Sequence, residues 1–126
     1  MENEKTWELE DAEKPYNIRH RCFHFSKEVL KFIEQCKYQR IHYSIFEQLL
    51  RSATSIGANV VEGGSGSTKK DFVHFLHIAL KSANETKYWL CLIRDSFEVD
   101  KNKLEKLLKE ADEISKILAS IILKSR

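Results

Sequence analysis

Apolar residues recur at alternating steps of four and three along most of this chain, the spacing that places them on one stripe of an α-helix. In the centre, Ile45, Leu49, Ser52, Ile56, Asn59 and Gly63 form one stripe. After a Gly/Ser-rich turn, Phe72, Leu76, Ala79, Ala83, Thr86, Leu90, Ile93 and Phe97 form a longer one with bundle or coiled-coil spacing. Ile18, Cys22, Phe25, Val29, Phe32 and Cys36 repeat the rhythm upstream, and Leu104, Leu107, Ala111, Ile114, Leu118 and Ile121 repeat it downstream. The pattern predicts helices over residues 17–37, 44–63, 68–96 and 101–124 and no strands. Such an all-α chain folds as an antiparallel, up-down-up-down four-helix bundle.

The punctuation agrees. Asn17 or Pro15 starts the first helix, Ser44 caps the second, and Gly63 or Gly64 is placed to take the left-handed conformation that ends it. Thr68 with Asp71 three residues later is a capping-box pattern for the third helix. Ala53, Gly57 and Ala58 keep the second helix low on one side, so that a neighbour comes close, which offsets the roughly 1 kcal/mol that glycine costs in a helix interior. On the third helix a second stripe, Phe75, Ile78, Ser82, Glu85, Trp89 and Leu92, runs beside the first and widens the apolar arc beyond one seam. The extra width predicts a second contact, with Phe75, Trp89 and Leu92 as the candidate oligomer interface.

The run Leu49-Leu50-Arg51-Ser52-Ala53-Thr54-Ser55-Ile56-Gly57-Ala58-Asn59-Val60-Val61-Glu62-Gly63, followed by Lys70-Asp71-Phe72, Ile78-Ala79-Leu80 and Glu85-Thr86, resembles the bacterial four helix bundle protein family. Some members are encoded in intervening sequences of 23S rRNA genes and are labelled ribosomal-protein-like for that reason. The resemblance covers the chain from Asn17 onward and implies the bundle fold. Relatives include the accessory variability determinant of diversity-generating retroelements, which forms a five-fold barrel and binds nucleic acid and a reverse transcriptase. The resemblance therefore implies a homopentamer, with RNA or DNA and a reverse transcriptase or another protein as partners. No catalytic residue comes with it.

Charge divides the 126 residues unevenly. Residues 1–14 hold six acids (Glu2, Glu4, Glu8, Glu10, Asp11 and Glu13) against Lys5 and Lys14, a net charge of −4. Of the chain's 21 basic and 19 acidic residues, 19 and 13 remain in 15–126, a net +6. The expected organisation is an acidic flexible N-terminal arm, 1–14, and a bundle domain, 15–126. The arm either projects freely, folds over the basic surface, or docks on a neighbouring subunit through Trp7 and Leu9. Cys22, Cys36 and Cys91 form no C-x-x-C pair, so neither a disulfide framework nor a structural zinc site is expected, and the compartment reads as cytoplasmic. No apolar run approaches a membrane span.

Little in the sequence supports chemistry. Gly63-Gly64-Ser65-Gly66-Ser67-Thr68-Lys69-Lys70 invites comparison with a phosphate loop, but a helix precedes it and no glycine stands directly before Lys69. Asp71-x-x-His74 imitates half of a bundle dimetal site, yet the core-facing seams carry no carboxylate, and Asp71 reads as a cap. Glu62 and Glu85 read as flank residues that pair with bases or backbone amides. Asn59 reads as a register-setting amide. No metal, no cofactor and no catalytic residue is expected, so the chain reads as a non-enzyme. The remaining face of the third helix is basic: Lys70, His74, His77, Lys81, Asn84 and Tyr88 share one stripe without an acid, with Lys69, Lys87 and Arg94 close by. Lys69, Lys70, His74, His77 and Lys81 are the candidate nucleic-acid contacts, and histidine as a residue type gains charge in mild acid. The reading is a non-catalytic, oligomeric module that binds nucleic acid without sequence preference or serves a reverse transcriptase. The alternative is a purely structural protein–protein interaction module.

Overall fold

The computed structural model describes residues 17–65 and 68–126. Four helices carry them: α1 (Ile18–Gln35), α2 (Tyr43–Gly64), α3 (Lys69–Ser96) and α4 (Lys101–Lys124), with a short 3-10 turn at Arg40–His42 before α2. No strand occurs among the described residues. Each helix touches its neighbours in sequence, α4 closes back on α1, and no diagonal pair is in contact among the described residues. This is the expected antiparallel up-down-up-down bundle, and every expected boundary falls within two residues of the observed one. The acidic arm expected at 1–14 lies outside the described residues.

Capping explains most of the helix starts. Asn17 Oδ1 accepts the Arg19 backbone N–H at 2.9 Å, and Thr68 Oγ1 accepts that of Asp71 at 3.0 Å. Asp100, which the apolar pattern did not single out, accepts the Lys103 N–H at 3.1 Å and starts α4. Ser44 does not cap α2. That helix begins at Tyr43 with no side-chain cap, and aromatic packing fixes the approach instead: Tyr38 stacks on Phe46 at 3.8 Å between centroids, and Phe97 meets Phe46 edge-on at 5.3 Å.

The glycines before the turn do something other than expected. Neither Gly63 nor Gly64 has a positive φ; α2 ends at Ser65, whose N–H donates to the carbonyls of Val61 and Glu62 at 3.2 Å. Gly63 is buried because α3 comes close: a Cβ there would sit 3.1 Å from Phe75 Cβ and 3.3 Å from the Phe72 carbonyl. Gly57 serves α1 in the same way, with its missing Cβ 3.2 Å from Cys22 Cβ. Ala53 is buried as expected, whereas Ala58 is exposed and contacts no helix closely enough to be covered.

The core follows the expected stripes with two shifts. In α2, Phe46, Ala53 and Val60 are buried while Ile45 and Asn59 are only half-buried. The helix has two partners, so its buried arc is centred between them. In α4 the last buried position is Ile122 rather than Ile121, because a straight helix drifts by about 20° per heptad from a strict seven-residue repeat.

The broad arc of α3 resolves into three sides. The first, with Phe75, Ser82 and Glu85, faces α2: Phe75 packs on Gly63, Ser82 Oγ lies 2.9 Å from Ser55 Oγ, and Glu85 pairs with Arg51. A second side faces α4 through Lys87 and Arg94. The second apolar stripe thus has a partner within the chain, a physical source for its width that the spacing alone did not distinguish from a subunit contact.

Candidate nucleic-acid interface

The third side of α3 is the exposed one. Lys70, His74, His77, Lys81, Asn84 and Tyr88 are all exposed along it, and Lys69 stands exposed at its start. Helical periodicity sets this stripe, because the sides to its left and right are occupied by α2 and α4. Among the described residues, Lys69, Lys70 and Lys81 have no acidic partner. Glu85, one turn beyond Lys81, turns toward Arg51 and also accepts Trp89 Nε1–H at 3.3 Å. Arg51 in turn donates to Gln48 Oε1 at 2.8 Å. Glu85 therefore pairs with a base as expected, while Glu62 is exposed and pairs with none among the described residues.

Lys87 and Arg94, grouped with the stripe by sequence, are drawn away from it. Lys87 Nζ lies 3.2 Å from Asp112 Oδ1 and 3.1 Å from Ser115 Oγ. Arg94 is held by Asp95 at 3.0 Å and Glu105 at 3.3 Å, and both hydrogen bonds raise its pKa further. Asp112 is lowered below the usual carboxylate range, first by its bond to Lys116 and then by Lys87. Among the described residues, the cations of α3 without an acidic partner are thus concentrated on the half that begins at Lys69, and the neutralised ones on the half that ends at Ser96.

The candidate oligomer residues lie elsewhere on the helix. Phe75, Trp89 and Leu92 are half-buried; Phe75 packs on Gly63 of α2, and Trp89 donates to Glu85, which pairs with Arg51 of α2. His74 and Tyr88 turn their rings edge-on to Phe75 and Trp89, at 5.4 and 5.1 Å between centroids. The basic stripe and the apolar edge are therefore adjacent, joined by aromatic contacts.

Other chemistry finds little purchase. Burial pushes the Cys22 thiol up to about 12 and the Cys36 thiol up to about 11, which keeps both protonated and poor nucleophiles near neutrality. No group of three or more His, Cys, Asp or Glu side chains converges as a metal site among the described residues. No described helix is long and apolar enough to cross a membrane. Asn59 donates to the Ser55 carbonyl at 2.8 Å and Ser55 Oγ at 3.0 Å, within its own helix. Its place is structural, at the end of a polar ladder that links α2 to α3. The sequence pattern did not reveal a groove between α1 and α4, because its lysines, Lys31, Lys103 and Lys106, come from two distant stretches; only the three-residue step between the last two hints at a shared face.

A four-helix bundle with an acid-free basic stripe on one helix describes the class of protein. Comparison with known proteins specifies it: the chain belongs to the 23S rRNA-intervening sequence protein family, which matches residues 14–120. A crystal structure of a protein of unknown function from the S23 ribosomal protein family of Bacteroides thetaiotaomicron VPI-5482 is similar at 33% identity and a TM-score of 0.74. The match covers 83% of this chain and 97% of that one. None of the curated proteins compared with the chain matches it.

Proposed function

We propose that this protein is an oligomeric, non-catalytic module that binds RNA or DNA through phosphate contacts from Lys69, Lys70, His74, His77 and Lys81, without sequence preference. The observation that carries the reading is the contrast along α3, where Lys69, Lys70 and Lys81 have no described acidic partner while Lys87 and Arg94 are paired. Unneutralised lysines on a rigid helix suit a phosphate backbone, whose binding releases counterions and weakens steeply with salt. The stripe lacks the arginine and asparagine pairs that read base edges. Assembly through the edge of Phe75, Trp89 and Leu92 would repeat the stripe and add the contacts of several subunits on one strand. The retroelement relative supports a five-fold assembly and a reverse transcriptase as a protein partner.

The test is a titration of single- and double-stranded DNA and RNA at two salt concentrations. Binding at low salt that fades at high salt, and that is lost in Lys69→Glu/Lys70→Glu/Lys81→Glu, supports the proposal. Equal salt dependence in wild type and variant removes it. Light scattering checks the assembly: the wild type should be an oligomer, and Trp89→Lys a soluble, smaller species, because it places charge in a contact that must be desolvated. A second reading, a structural interaction module, draws on the half-exposed apolar edge itself. It takes over where the oligomer forms and no nucleic acid binds.

A further inference from the structure

Of the large apolar side chains that stand exposed among the described residues, Tyr88 is the only one on α3. It is 61% exposed and lies on the same face as Lys70, His74, His77 and Lys81. No described residue hydrogen-bonds its hydroxyl. The ring is backed from the α2 side: Trp89 meets it edge-on at 5.1 Å between centroids, Trp89 Nε1–H donates to Glu85 at 3.3 Å, and Glu85 pairs with Arg51. The acids nearest to Tyr88 in sequence, Glu85 and Asp95, are both paired, with Arg51 and Arg94. An anchored aromatic ring thus closes a track of cations, about 10 Å along the helix axis beyond Lys81 and about 27 Å beyond Lys70.

We infer that Tyr88 is a stacking platform for an unpaired base, which makes single-stranded RNA or DNA the ligand of this face. The inference rests on the nucleic-acid reading and deepens it. Phosphates of one strand follow Lys69, Lys70 and Lys81, and a base at the end of that track lies on the phenol ring. Inside a duplex both faces of a base are covered by its neighbours, so only a single strand offers one without the cost of unstacking and unpairing. Every base has a π-face, so stacking on the ring adds affinity without sequence preference.

The experiment titrates the full chain with an oligothymidylate strand, the same strand with abasic sites, and its duplex with oligodeoxyadenylate, each at two salt concentrations. Tyr88→Ala should weaken binding to the intact strand by about five- to hundredfold. Its salt slope should not change, because no phosphate contact is lost. Duplex affinity should stay the same, and the wild type should bind the abasic strand as weakly as Tyr88→Ala binds the intact one. Tyr88→Phe, which keeps the ring, should bind like the wild type, and helical circular dichroism should be the same in all three chains. Equal affinity of Tyr88→Ala and wild type for the intact strand overturns the inference and leaves the phosphate contacts standing. So does an equal loss on strand and duplex, or a loss that Tyr88→Phe shares, which would make the hydroxyl the contact. A wild type that binds neither strand nor duplex at low salt removes the nucleic-acid reading and the inference with it.

Discussion

The α2–α3 seam and the α1–α4 seam are built from the same heptad-like spacing and end up opposite in character. Between α2 and α3 the facing residues are small: Gly63 admits Phe75, and Ser52, Ser55, Ser82 and Thr86 meet one another. Thr86 Oγ1 donates to Ser52 Oγ at 2.9 Å, and Ser52 Oγ donates to the Leu49 carbonyl at 3.2 Å. Both hydroxyls are fully buried, and the chain of bonds satisfies them. Between α1 and α4 the facing residues are large, with Phe25, Phe32 and Leu107 holding the backbones apart over a groove. One half-exposed ion pair, Arg21 with Glu110, spans it. Side-chain size decides which helices come close, and close approach brings a need for polar partners at the seam.

The sharpest break in the comparison is a truncation on each side. Leu90→Ala, at a position with 0% exposure, should cost towards the upper end of about 2–5 kcal/mol, and Leu107→Ala, which lines the groove, towards the lower end. Denaturant midpoints at constant m compare the two, and equal losses would mean that the α1–α4 seam is packed as tightly as the rest. Next is Gly63→Ala. Its new methyl meets a Cβ and a backbone carbonyl, neither of which swings aside, so overpacking of about 1–3 kcal/mol outweighs the helix-propensity gain of about 1 kcal/mol. Gly64→Ala, with nothing within 4 Å, should instead stabilise slightly, and the same melts read both. Thr86→Val removes the hydroxyl that bonds Ser52 and should cost about 1 kcal/mol; a double-mutant cycle with Ser52→Ala should show positive coupling. Smallest is Arg21→Ala, at most about 1 kcal/mol because the pair is partly solvated, with the loss shrinking as salt rises.

Helix number, helix type and nearly all boundaries were legible in the sequence because they follow from local periodicity and from caps such as Asn17 and Thr68, whose partners lie within three residues. The basic stripe was legible for the same reason, since positions 70, 74, 77 and 81 share one face of any helix. The fate of Lys87 and Arg94 was not. Asp112 and Glu105 sit on α4, 25 and 11 residues away, and no spacing on α3 announces them; only Asp95, next to Arg94 in sequence, was in view. The second apolar stripe was legible as a contact but not as a contact with α2.

By itself, then, the sequence determined what each helix can present: one apolar side, small residues at chosen steps, and a side on α3 rich in base. Those properties depend on rotation per residue and on neighbours one turn away. Only the tertiary structure decided which sides meet. The burial of Gly63, the hydroxyl ladder from Ser52 to Thr86, the neutralisation of Lys87 and the groove over Phe25 and Phe32 each depend on the distance between two helix axes. That distance is set jointly by the side chains of both helices, so neither stretch encodes it alone.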